Sequence, residues 1–338
     1  VGGMSESIKA RSSDFKLLYD GTDISADIAK DVESLEYTDN ASDTSDSISI
    51  TLNASDSKWI NGWLPDEGAE LHLKLSTQNW EAQGDRASLD CGLMVLDDLS
   101  FNDEPAKLTL GAVAKPNDTD FSEQDREYTW KNTSIKKIAE TIGARYGLTV
   151  KFDGEDMSLT TKDQDATDSA FLQKLCSTYG LILKVYNKRL WIYDREKYKK
   201  KAAVATIRKT DMVRGSFHWN TSLSGTYTGG EFTYTKQSEN INISVKIGTG
   251  PRIKKLNQYA ANEADARRQL QAAIDSENHG HITISFSMPG KLALAAAQCI
   301  NVTGRGKLDG KYFIDSVNHK KDRSSGLVSE FSCSKVLN

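Results

Sequence analysis

The chain has 338 residues, 38% of them apolar and 27% charged, which suits a globular protein of two or three domains, each large enough to bury a core. No stretch approaches the roughly 18 apolar residues of a membrane span, and "LALAAAQCI" (292–300) is too short. The net charge of −4 hides an asymmetry: residues 1–120 hold 24 acids against 9 bases, or −15, and the remainder holds 23 against 34, or +11. This describes either two differently solvated surfaces, or a polar molecule that stacks head to tail or lines a passage with one sign of charge.

Val1, Gly2 and Gly3 read as an expression scar before a natural start at Met4, and residues 1–13 as a flexible N-terminus with no signal peptide. From residue 14 the pattern has period two. "FKLLY" runs into the turn pair Asp20-Gly21, and "SISITL", "LHLKL" and "KLTLGA" each alternate apolar and polar residues. Such alternation predicts half-buried antiparallel strands, here a first β-barrel domain over 14–116. Within it, "LDCGLMVLDDLSF" (89–101) sets Asp97 and Asp98 side by side among apolar residues. Adjacent acids suggest a catalytic pair or a metal site, but strand neighbours point to opposite faces, so the two are expected to diverge, with a bulge at Gly92 as the one foreseeable change of phase. Trp59 and Trp63, four apart in "KWINGWLPDEG", and Trp80 read either as core or as exposed anchors for a partner. The acid-rich "DNASDTSDS" (39–47) lacks the glycine and glutamate of a calcium loop and is expected to be an exposed connection.

Pro116 and "NDTDFSEQDRE" mark a boundary, after which the period lengthens. Ile135, Ile138, Ala139, Ile142 and Tyr146 define an amphipathic helix with Asn132 or Thr133 as its cap. Phe171, Leu172, Leu175, Cys176 and Tyr179 define a second, capped by Asp168. They run into "YGLTVKF" and "YGLILKV", an internal repeat in which Gly147 and Gly180 should end a helix with positive φ before a strand begins. "RLWIYD" adds a further strand after a turn at Asn187-Lys188. These elements predict an α+β domain over 117–200, ending in a basic connector, "REKYKKKAA". Strands return in "EFTYT", "INISVKIG", "HITISFSM", "KYFIDSV" and "LVSEFSCSKV", a second β-barrel domain over 201–338. A helical insert is expected at about 257–278, with Asn262 as its cap.

No motif carries chemistry. His279-Gly280-His281 lacks a third metal ligand and reads as a solvated hairpin or strand start, and His218 and His319 are isolated. "GRGKLDGK" (304–311) and "GTGPR" (248–252) match no phosphate-binding loop. "KYKKK" is too short to argue for nucleic acid. Cys91, Cys176, Cys299 and Cys333 form no CxxC and read as buried thiols in a reducing compartment. No catalytic, cofactor-binding or metal-binding residue is assigned.

Several phrases together resemble the late control protein D family, the baseplate hub proteins of contractile phage tails: "YDGTDISADI", "SLEYTDN…DSISITL", "KWINGWLPDEGAELHLKL", "LDCGLMVLDDLSF", "FLQKLCSTYGL", "LWIYDREKY" and "GKLDGKYFIDSVNHKK", in order from Tyr19 to Lys321. The amino-terminal half of VgrG proteins in type VI secretion shares that fold. The resemblance implies two related β-barrels separated by α+β parts, and a homotrimer whose six barrels ring a passage joining the sixfold tail tube to a threefold spike. It implies as partners a separate spike protein, the tail tube protein, and possible contacts with the tape-measure protein and the baseplate wedge, with DNA passing through unbound. It places the protein in the virion tail baseplate, assembled in the host cytoplasm, and supplies no catalytic residue and no cofactor. The competing readings are a particle-associated cell-wall hydrolase, which would need a paired acid or Cys/His site, and a secreted carbohydrate-binding sandwich, disfavoured by the cysteine usage.

Overall fold

The period-two segments become strands. In the computed structural model, which describes residues 9–42, 44–116 and 120–337, they occupy Ser12–Tyr19, Ser47–Asn53, Glu70–Gln78 and Lys107–Val113. Residues 1–3, Met4, Asp43 of the acid-rich loop and 117–119 of the expected boundary lie outside the described residues. The four strands join Val32–Asn40 and the long strand Arg86–Asn102 in one antiparallel run. Their alternate residues, among them Leu17, Ile50, Leu52, Leu73 and Leu110, are buried in one cluster. Each such leucine or isoleucine contributes roughly 1.5–3 kcal/mol by leaving water. The turn after the first strand uses left-handed backbone at Asp20 and Gly21 (φ 44° and 81°), as a two-residue hairpin requires.

The mainly β character with α+β parts is as the sequence predicts, but among the described residues no ring of strands closes into a barrel. The two β-rich halves share one sheet of 13 strands. The seam is the strand Gly310–Asp322, which pairs with Gly326–Lys335 from Tyr312 to Asp322. Its other edge meets Cys299–Thr303 along 310–313 and Val32–Asn40 along 316–322. The register slips between Ile314 and Ser316, so the bulge at Asp315 is where this edge passes from one half to the other. Beyond Gly326–Lys335 lie Ile282–Pro289 and, at the edge, His218–Thr221.

The α+β part follows the repeat. Helices Ile135–Arg145 and Asp168–Thr178 each give way to a strand, Thr149–Asp153 and Leu181–Tyr186, through Gly147 (φ 65°) and Gly180 (φ 73°). Arg189–Asp194 lies between these strands, parallel to the first and antiparallel to the second. Asn187 and Lys188 (φ 47° and 56°) make the tight hairpin. Two caps differ from expectation. Ser134, not Asn132 or Thr133, accepts the Lys137 N–H, because Asn132 sits in left-handed backbone (φ 46°) inside a strand. Thr167, not Asp168, accepts from Ala170 N. Asp168 is instead fully buried, accepting from Arg145 (3.0 Å), Tyr146 (2.7 Å) and Gln164 (2.7 Å).

The basic connector is partly helical, Arg195–Lys199, capped by Asp194. The insert in the second half exceeds a helix. Strands Gly229–Lys236, Ile241–Gly248 and Ile253–Leu256 form a separate sheet beneath helix Glu263–His279, with its own cluster of Phe232, Ile243, Val245, Ala266, Leu270 and Ile274. The helix starts at 263 rather than about 257, where Asn262 accepts from Asp265 N.

Gly147→Ala is expected to lose about 1 kcal/mol in urea unfolding, the cost of a side chain in left-handed backbone. Gly180→Ala should lose more, since its added Cβ would also lie 3.3 Å from the Ala272 Cβ. Wild-type stability in both variants would contradict this account of the repeat.

Candidate functional site

Asp97 and Asp98 lie within the strand Arg86–Asn102, which runs on past them and changes phase twice. Gly92 (φ 78°) is at the expected bulge, and the register against Glu70–Gln78 slips there. A second slip against Lys107–Val113 falls between Leu96 and Asp98, making Asp97 the extra residue. Leu89, Cys91, Met94, Leu96 and Leu99 therefore face the first core, and strict alternation through 97 and 98 fails. Both acids are exposed. Asp97 pairs with Lys115, while the Asp98 side chain lies over Gly111, with its Cβ 3.3 Å from where a Cβ on that glycine would stand. Neither has the buried, charge-sharing environment that tunes a catalytic carboxylate.

The two histidines of "HGH" also separate. His279 is not in a solvated hairpin; it is the last residue of the insert helix, packed against Phe313, with Nε2 2.6 Å from Asp315 Oδ1. Burial depresses its pKa despite that carboxylate. Asp315 also accepts from Ser334 Oγ at 2.6 Å, so the serine is a donor here rather than a nucleophile. His281 Nδ1 instead lies 2.8 Å from Ser222 O. His218 is exposed on the edge strand, and His319 is buried. Among the described residues, no group of three or more His, Cys, Asp or Glu is placed to hold a metal. The four cysteines are buried and unbonded to one another.

The most developed polar cluster was not visible in the sequence. Lys184, on the α+β strand Leu181–Tyr186, reaches into the first half, where its Nζ meets Asp39, Asp46 (3.0 Å) and the Asn40 carbonyl (2.8 Å). Asp39 also accepts from Ala296 N of the second half at 2.8 Å, and Asp46 from Asn40 N at 2.9 Å. Lys184 and Asp39 are 8% exposed and Asp46 is fully buried. Burial, opposed by Lys184 and reinforced by Asp39, pushes the Asp46 pKa up to about 6. Burial alone would lower the Lys184 pKa, but the two carboxylates outweigh it and raise it. Beside them Tyr37 stacks on His319 (6.2 Å, 5°), whose pKa burial lowers to about 4. Ser329 Oγ accepts from Lys291 N and lies 2.8 Å from His319 Nδ1, so its own proton is available to that nitrogen.

Of the expected aromatic anchors, Trp59 is core, 3% exposed, donating to Asp31 (3.2 Å). Trp63 packs edge-on against it (5.6 Å) yet remains 46% exposed beside Ile60 and Leu64. Trp80 is half-buried against the first core. The second half exposes Val204, Val213, Trp219 and Leu223. No helix of the described residues is long and apolar enough to cross a membrane.

No family model and no curated protein matches the chain. Its fold does match solved structures over nearly its full length. The prophage MuSo2 43 kDa tail protein of Shewanella oneidensis superposes with a TM-score of 0.70 at 14% identity, covering 96% of this chain and 98% of that one. A tail protein of Neisseria meningitidis gives 0.71 at 11%, covering 96% and 97%. A type VI secretion component of E. coli, described as similar to T4 tail proteins, gives 0.56 at 12%, covering 91% and 74%. The chain thus has the fold of phage tail proteins, which is also found in type VI secretion.

Lys184→Met should lose about 3–5 kcal/mol, because it strands two buried carboxylates. The pH dependence has two opposed parts. His319 has a folded pKa below its unfolded value, so its contribution is present above about pH 6.5 and lost as pH falls through about 4. Asp46 has a folded pKa above its unfolded value, so its contribution is present below about pH 4 and lost as pH rises through about 6. Asp46→Asn should therefore make the melting temperature fall more steeply than in wild type on acidification across this window, and His319→Gln should do the reverse. Identical slopes in all three proteins would show that the cluster does not titrate in this way.

Proposed function

We propose that this chain is a structural, non-enzymatic baseplate hub of a contractile phage tail or a related injection machine, acting as a homotrimer that joins the sixfold tail tube to a threefold spike. The single observation that supports it most is the fold likeness to tail proteins over 96% of the chain. Two β-rich halves in one continuous sheet suit a ring in which three chains supply six similar positions. The proposed partners are the spike protein and the tail tube protein, with the tape-measure protein and baseplate wedge as further neighbours, and DNA passing without specific contacts. The corresponding place is the tail baseplate, after assembly in the host cytoplasm. The domain division into 14–116, 117–200 and 201–338 is proposed on the same footing, with the apolar clusters beneath each part in its favour.

A closed ring uses heterologous contacts, so the first half of one subunit should meet the second half of the next. The charges of −15 and +11 on either side of residue 120 favour that pairing, chiefly in rate and register. The exposed Ile60, Trp63 and Leu64 on one half and Val204, Val213, Trp219 and Leu223 on the other offer the apolar area that must supply the affinity.

Cryo-microscopy of the particle should show three copies in the hub, and light scattering of the isolated chain should show weaker association that declines with salt. A ring of two or six identical chains would overturn the proposal. Asp97→Asn and Asp98→Asn should assemble normally, and loss of a cell-wall hydrolytic activity in either variant would favour the hydrolase instead.

A further inference from the structure

Among the exposed apolar residues, Trp63 is the one held as an anchor. Its ring stands edge-on to the buried Trp59 at 5.6 Å, and the Lys58 ammonium, paired with Asp31 (2.8 Å), lies 4.5 Å from its centre. The indole is thus fixed on the surface before any partner arrives, so little rotamer freedom remains to be lost on docking. Ile60 and Leu64 are exposed beside it. Asp66 and Glu67 follow, both exposed and neither in an ion pair among the described residues. The segment therefore presents a rigid aromatic anchor followed by two unpaired acids.

A receptor of matching character lies where the three parts of the chain meet. A cleft of about 490 Å³ is lined by the rings of Tyr186, Trp191 and Tyr198 and by the small residues Ala202, Ala295 and Ala296, with the exposed Val204 among its members. That volume falls within the roughly 300–1,000 Å³ of sites that enclose a small ligand, and so admits a large side chain. The acids of the lining are already held, Asp39 by Lys184 and Ala296 N, Asp90 by His72, Lys74 and Gly92 N. Two of its lysines are less committed. Lys151, 4.9 Å over the Trp191 ring, makes no ion pair among the described residues, and Lys201, over Tyr198, has Asp153 only at 3.9 Å.

The chain cannot fill this cleft with its own anchor. Trp59 donates to Asp31 at one end of the strand Val32–Asn40, and the cleft residue Asp39 stands at the other, roughly eight residues or about 26 Å away at the rise of a strand. A projection and a receptor that far apart on one subunit are what a heterologous contact uses. We propose that Trp63 of one subunit docks into the cleft between Trp191, Tyr198 and Ala296 of the next copy of this chain, with Asp66 and Glu67 beside Lys151 and Lys201. The inference rests on the hub reading, for which it supplies the contact between neighbours.

The test uses the full chain in solution. Light scattering over a concentration series gives the self-association of wild type, Trp63→Ala, Lys151→Glu and the double variant Asp66→Lys/Glu67→Lys. Trp63→Ala should weaken it by about thirtyfold, as loss of an anchor does. The charge variants should weaken it less, and only at low salt. Joining Lys151→Glu to Asp66→Lys/Glu67→Lys in one chain should return part of that loss. Proximity is read separately. The four natural cysteines are buried, and a Cβ at Gly62 meets nothing within 4 Å, so Gly62→Cys and Val204→Cys each add one accessible thiol. A short bismaleimide should link a mixture of these two variants into a heterodimer. Association that Trp63→Ala weakens while the cleft variants and the cross-link show nothing would give the anchor another receptor and the cleft another occupant, and would overturn the pairing. Association indifferent to Trp63→Ala, or a chain monomeric at every concentration, would overturn it as well. The hub reading is judged apart from all of these, by the number of copies in the particle.

Discussion

Much of the architecture converges on one buried ammonium. Lys184 belongs to the α+β part, Asp39 and Asp46 to the first half, and Asp39 in turn holds the Ala296 amide of the second half. Around this contact lies a small apolar cluster with members from all three parts, Ala41, Ile182, Tyr193, Ala297 and Phe313. A buried ion pair of this kind adds little net stability compared with apolar residues of the same volume, since desolvation offsets the attraction. Its effect is on placement. Apolar surfaces tolerate sliding, whereas three buried charges tolerate only the arrangement that satisfies all of them. Tyr193 reinforces the same joint by donating to the Ala41 carbonyl at 2.6 Å.

Four register irregularities shape the sheet, one of them between Val32 and Ser34, and the other three differ in how visible they are in sequence. The bulge near Gly92 is announced by the residue, because left-handed backbone favours glycine. A Cβ there would stand 3.0 Å from the Tyr186 ring, whose hydroxyl bonds the Asp90 carbonyl, so the glycine also admits the α+β part. The bulges at Asp97 and Asp315 use ordinary residues and leave no local mark. The first breaks the strict alternation expected to set Asp97 and Asp98 on opposite faces. Missing the second hid the seam at which the two halves become one sheet. Register depends on the partner strand, and a single chain read in isolation does not name its partners.

A similar distinction separates the helices from their caps. The apolar spacing of Ile135–Arg145 and Asp168–Thr178 is a property of each segment and was legible, as were the glycines that end them. The caps were displaced by one or two residues because Asn, Thr, Ser and Asp all qualify chemically, and tertiary demand decides among them. Asp168 was drawn into the buried network with Arg145, Tyr146 and Gln164, leaving the cap to Thr167. The strands Asp125–Ser134 and Ser158–Thr167 leave no strand signature in the sequence because they are polar along much of both faces and carry no clean alternation.

The same reasoning separates structural from chemical acids in this chain. Asp97 and Asp98 look like a site in sequence, yet both face water. Asp39 and Asp46 belong to the acid-rich segment expected to be an exposed connection, but both are buried, and with Asp168 and Asp315 each holds together elements distant in the chain. Asp39 spans 145 residues to Lys184 and 257 to Ala296, and Asp315 spans 36 to His279. Each is engaged by donors already fixed in the fold. Asp39 and Lys184 also lie in the wall of a cavity of about 490 Å³, yet Asp39 too is held by donors from the α+β part and the second half, so its chemistry is spent on geometry. In the proposed ring, such rigid junctions inside the chain would leave the exposed apolar residues and the opposed charges to make the contacts between subunits.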